Sequence, residues 1–96
     1  MKKELTAEQN ALLERVINST DGNEVYKTCV NLMKECNISN GVIALTAMGI
    51  GDHTEYYKVL INRIKNNLDK VDDAWIKKEV IDIFHEIDRN MDDEEE

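Results

Sequence analysis

The sequence predicts an all-α fold, a compact bundle of four to five short helices with an acidic C-terminal tail. Three observations carry that prediction. Apolar residues recur at helical spacing over almost the whole chain, which gathers them on one side of each segment. There is no proline and there are only four glycines, too little punctuation for a turn-rich β fold or a low-complexity coil. The breaks in the periodicity are short and polar, and residues that cap helices follow them. At 96 residues the chain makes one domain, residues 1–91, with 92–96 read as a disordered tail.

The first helix opens at Thr6, with Gln9 in capping-box position. Leu5, Leu12, Leu13, Val16 and Ile17 fall on its apolar side, away from Glu8, Glu14 and Arg15. Asn18 to Gly22 reads as a loop in which Asp21-Gly22 favours a turn with positive φ. The second helix, from about Glu24 to Cys36, carries Val25, Tyr26, Cys29, Val30, Leu32, Met33 and Cys36. That apolar set is wide enough to touch two neighbours.

Between Cys36 and Gly51 there is no charged residue, and Val42 to Met48 is apolar on every face. Ser39 or Asn40 caps this third segment, and Gly49 or Gly51 ends it. A helix of this kind is either core or contact surface, and the sequence leaves both open. Asp52 and Glu55 signal a fourth helix running to about Leu68, with Tyr57, Leu60, Ile61, Ile64 and Leu68 on one stripe. Asp72 caps the last helix, which buries Ile76, Val80, Ile83, Phe84, Ile87 and Met91. The closing run Asp92 to Glu96 is expected to fray, because adjacent like charges repel. Short connections imply that consecutive helices pack antiparallel.

Charge position says more than the net charge of −8. Residues 1–70 carry nine acids and nine bases, whereas residues 71–96 carry eleven acids against Lys77, Lys78 and Arg89. Projected at 100° per residue, Glu79, Asp82, Glu86 and Asp93 form one stripe on the last helix, and Trp75, the one tryptophan, joins it. Tryptophan is enriched at binding hot spots, and an acidic rim steers a basic partner. Trp75, Glu79, Asp82, Glu86 and Asp93 are therefore the candidate partner-binding residues. Two plainer readings stand beside that one: an acidic face that serves solubility, and an indole folded back over the Leu68–Val71 connection. Val42, Leu45 and Met48, with small Gly41, Ala44 and Ala47 among them, are the candidates for self-association.

No constellation for catalysis converges, so no enzymatic activity is expected, and no cofactor. His53 reads as a capping-region residue and His85 as a solvated one. Asp82 and His85 resemble half of a carboxylate–histidine metal pair, but no second pair exists and this one points outward, so no metal site is expected. Cys29 and Cys36 lie about 10.5 Å apart along one helix, beyond the ~7 Å reach of a disulfide. Gly49-Ile50-Gly51-Asp52 has a glycine-rich look before a helix, yet it lacks the lysine and the preceding strand of a phosphate loop. Leu32 to Ile43 has the spacing of a helix-turn-helix, yet the would-be reading helix, Asn40 to Met48, offers only Asn40 and Thr46 to a base edge and nothing cationic to phosphate. No apolar run approaches the ~20 residues of a membrane span. The opening residues lack the apolar core of a secretory signal, so a cytoplasmic location is expected.

The sequence thus points to a small acidic protein–protein interaction module, an inhibitor or adaptor that occupies a basic or hydrophobic surface of a larger macromolecule. In composition it is similar to small phage-type inhibitors of nucleic-acid-binding host proteins. The expected partner is a protein with a basic patch, not nucleic acid and not a membrane. The alternatives are a homodimeric or higher homo-oligomeric structural protein and a small-ligand-binding helical protein.

Overall fold

The computed structural model describes residues 4–95, with side chains described for 4–89. Among the described residues are five α-helices and no strand: α1 Ala7–Ile17, α2 Gly22–Glu35, α3 Asn40–Ile50, α4 Thr54–Asn66 and α5 Asp73–Glu95. A 3-10 turn, Leu68–Lys70, joins α4 to α5. The all-α bundle is the one the sequence predicts.

Side chains fix where most helices begin. Thr6 and Gln9 form the expected capping box, the Gln9 amide donating to Thr6 Oγ1 at 3.0 Å and the Thr6 amide to Gln9 Oε1 at 2.9 Å. Asp21 accepts from the amides of Asn23 and Glu24, Ser39 from Val42, and Asp72 from Trp75 at 2.8 Å. Each cap satisfies amides that the first turn leaves without an intrahelical partner. α2 ends in a Schellman motif: the Ile38 amide reaches back to the Met33 carbonyl and the Asn37 amide to Lys34. Asn37 takes the left-handed position at φ 63°, and Ile38 follows it into the core.

Several local expectations are corrected. α2 begins at Gly22 because Asp21 is its cap, so Asp21-Gly22 is a helix start, not a positive-φ turn. Gly49 lies inside α3; the helix ends at Ile50 and Gly51 makes the turn at φ 59°. α4 starts at Thr54 after His53, which makes no side-chain cap. The Asp52 carbonyl, not its carboxylate, receives the Thr54 amide at 2.9 Å. α4 stops at Asn66, leaving Leu68 to the 3-10 turn. The helical backbone of α5 extends to Glu95, into the segment 92–96 read as a tail. The side chains of Met91 and Asp93 lie outside the described residues.

The helices assemble as a group of three and a pair. α1, α2 and α4 pack on one another, α3 packs on α5, and α4 touches both members of that pair. Arg15 pairs with Glu24 at 3.1 Å and Gln9 donates to Glu35 at 3.0 Å, so α1 and α2 run antiparallel as expected. α3 and α5 run parallel. The Ser39 amide at the start of α3 donates to Asp73 Oδ1 at 2.9 Å. At the other end the Phe84 ring of α5 fills the space that a Cβ on Gly49 would need. Ile50, Leu60, Ile61, Ile64, Ile76, Val16 and Val25 are completely shielded at the centre. Each contributes about 1.5–3 kcal/mol of apolar transfer.

Candidate interaction surface

α3 is core on one side and open to solvent on the other. Val42, Ile43, Thr46 and Ile50 are buried, and the Thr46 hydroxyl donates to the Val42 carbonyl at 2.9 Å inside the helix. Thr46 is thereby removed from the surface, where the helix-turn-helix reading would need it. On the other side Gly41, Ala44, Leu45 and Met48 face solvent, with Met48 82% exposed and Leu45 44%. Of the three residues read as a self-association set, Val42 is corrected to core: it faces the bundle interior at the first turn. Leu45 and Met48 remain on the surface.

The parallel register of α3 and α5 extends this apolar face. Gly49 meets Phe84, Leu45 lies one turn before Gly49, and Ile81 lies one turn before Phe84. Leu45 and Ile81 therefore sit at the same level on either side of the seam, and Ile81 is 53% exposed. The sequence pattern alone does not join Leu45, Met48, Ile81 and the half-buried Phe84. The signal available was Ile81, an isoleucine off the apolar stripe of the last helix, beside a neighbour with no charges.

The acidic stripe of α5 lies on the edge that faces α4. Arg63 of α4 donates to Asp82 Oδ2 at 2.9 Å and lies 3.7 Å from Glu79 Oε1, so one guanidinium offsets two of the stripe's carboxylates. Glu79 is mostly covered by this arrangement while Asp82 stays open to water. Trp75 is half-buried and packs against the core, so its ring is neither sealed inside nor fully presented. Glu86 is exposed. Asp93 belongs to the side chains outside the described residues. The structure thus brings Trp75, Glu79 and Asp82 to one edge, with Arg63 as a partner that helical projection of α5 does not reveal.

The remaining polar groups are largely structural. Cys29 and Cys36 are both buried, and burial pushes the Cys29 thiol up to about 12, far from the range where it would ionise as a nucleophile. Burial also pushes the Tyr57 phenol up to about 12, with Tyr26, Cys29 and Asp52 adding to it. Its hydroxyl donates to the Gly51 carbonyl at 3.1 Å. His53 rests edge-on to Tyr56, ring centres 5.9 Å apart, and His85 is exposed. Among the described residues no three histidine, cysteine or acidic side chains group closely enough to hold a metal ion, and no helix is long and apolar enough to cross a membrane.

No family model, curated protein or solved structure matches the chain.

Proposed function

We propose that this chain is a protein–protein interaction module that binds a larger protein through the exposed face of α3 and the adjoining edge of α5, acting as an inhibitor or adaptor. The observation that carries the reading is Met48. It is 82% exposed in the last turn of an 11-residue helix without a charged side chain, in a chain that is otherwise one-third charged. Exposed apolar side chains scattered singly are ordinary; grouped with Leu45 and Ile81 on adjoining helices they mark a contact surface.

Charge selects the kind of partner. The chain carries −8, and the excess lies in the sequence of α5 and the residues after it, the helix on which α3 packs, with Glu79 and Asp82 on its edge toward α4. A second copy seated on this face would bring another −8 against the first. A partner with an apolar pocket for Met48 and Leu45, ringed by lysine and arginine, meets both features. Electrostatic complementarity of this sort raises the association rate and rejects wrong partners more than it deepens affinity.

The test compares wild-type protein with the double substitution Leu45→Glu, Met48→Glu. Both side chains are open to solvent, so the variant keeps its helical circular dichroism. The reading expects a cellular protein with a basic patch to be captured by the wild type, released at high salt, and lost with the variant. Capture that is unchanged by the double substitution sinks it. So does sedimentation showing wild-type dimers that the substitutions dissociate, which would make the face a self-association surface.

A further inference from the structure

A cleft of about 470 Å³ opens where α2 begins, α3 ends and α4 begins, lined by Gly22, Asn23, Tyr26, Ala47, Gly51, Asp52, Thr54 and Tyr57. It is distinct from the α3 face and within the range of small-molecule sites, about 300–1,000 Å³. α2 and α4 approach closely at this end: a Cβ on Gly22 would come within 2.8 Å of Thr54 Oγ1. The Tyr26 and Tyr57 rings meet edge to face with centres 5.3 Å apart. Tyr57 is buried and held by its bond to Gly51, whereas Tyr26 keeps 38% of its surface open.

The field in the cleft decides what it would take. Two helix N-termini would by themselves favour an anion, but both are already offset. Asp21 caps the amides of Asn23 and Glu24, and the first turn of α4 carries Glu55. The C-terminus of α3 adds its negative end, with no basic residue in its last turn. Asp52 adds an exposed carboxylate, and no lysine or arginine lines the cleft. The open Tyr26 ring, one carboxylate and a helix C-terminus all attract positive charge.

We infer that this cleft binds a small organic cation of the alkylammonium class, its charged head between the Tyr26 ring and the Asp52 carboxylate. A bare metal ion does not fit the chemistry, since Asp52 has no grouped carboxylates or imidazoles to complete a coordination shell. An ammonium carrying methyl groups uses the ring face and the carboxylate together, which a strongly hydrated ion does not.

The experiment titrates ¹⁵N-labelled full-length protein with choline, with its neutral carbon isostere 3,3-dimethylbutan-1-ol, and with inorganic phosphate. The expected result is saturable movement of the amides of Tyr26, Asp52 and Thr54 with choline alone, across the millimolar range. Asp52→Asn and Tyr26→Leu each weaken choline by about fivefold, and Tyr26→Phe, which keeps the ring, does not. Equal shifts from the neutral alcohol, saturation by phosphate, no saturable shift with choline, or choline binding indifferent to Asp52→Asn would each overturn the assignment. Unchanged circular dichroism of the variants separates loss of the site from loss of the fold. The Leu45→Glu, Met48→Glu protein should bind choline normally, so the result is independent of the partner reading.

Discussion

Gly49 shows how much one missing side chain organises. Its absent Cβ lets the Phe84 ring lie directly on the α3 backbone, and that contact sets the distance between α3 and α5. Gly49→Ala forces the ring aside and should destabilise the protein by about 1–3 kcal/mol, the cost of overpacking, read as a lower urea midpoint. Gly51 is different: its φ of 59° is a conformational demand, with open space around it. From sequence the two glycines look alike, and either could stop a helix; only the partner helix tells them apart. Cap residues were legible because their partners lie within three positions: Thr6, Ser39 and Asp72 all do as the local pattern says. Asp52 was not, because its carbonyl outcompetes its side chain at the start of α4. At high pH two buried groups act together. Cys29 and Tyr57 rise from 9.0 and 10.0 to about 12, so above the ordinary values the unfolded chain has lost protons that the folded one keeps. Stability is full below pH ~9 and then falls by at most about 1.4 kcal/mol per pH unit as Cys29 approaches its folded value, with Tyr57, whose hydroxyl is only partly buried, adding a smaller decline above pH ~10. Urea midpoints measured from pH 7 to 11 should be flat at first and then decline.

At the scale of the element, α3 departs most from an ordinary amphipathic helix. Its sequence lacks charge on both faces, so periodicity could not say which side is buried. The answer comes from the register against α5, a relation between residues more than thirty positions apart. The edge of α5 toward α4 shows the same limit. Helical projection puts its carboxylates on one stripe, but Arg63 meets Glu79 and Asp82 from the neighbouring helix, and a projection of α5 alone contains no information about α4. Arg63→Ala should cost about 0.2–1 kcal/mol, the range for partly exposed ion pairs, and the difference from wild type should shrink in 0.5 M salt as the screening length shortens from its value of about 10 Å at 0.1 M. Thr46→Val should be nearly neutral in thermal unfolding, because it removes donor and hydroxyl oxygen together and leaves Val42 with its helical partner. By contrast Asp21→Ala strips the cap from α2 and should cost about 0.5–2 kcal/mol.

For the whole molecule, the fold class followed from composition and spacing, since nearly every segment carries its own helical signal and its own cap. The arrangement of the segments did not, because it rests on contacts such as Ser39 with Asp73 and Gly22 with Thr54 that join distant parts of the chain. Charge is a global property and acts at long range. If association with a basic partner is steered by it, the on-rate measured by stopped flow should fall as salt rises while the off-rate stays nearly constant. Replacing Asp92 to Glu96 with serines takes the net charge from −8 to −3 and should lower that on-rate without altering the thermal midpoint by more than a few degrees. The two-point tether between α3 and α5 has a mechanical consequence. A ligand pressed onto Met48 bears on the α3–α5 pair, latched to itself by Asp73 at the base and by Phe84 higher up, and is felt by α1 and α2 chiefly through α4. Amide exchange in α3 and α5 should therefore slow in unison when that surface is occupied, and the protons of α1 should hardly register the event.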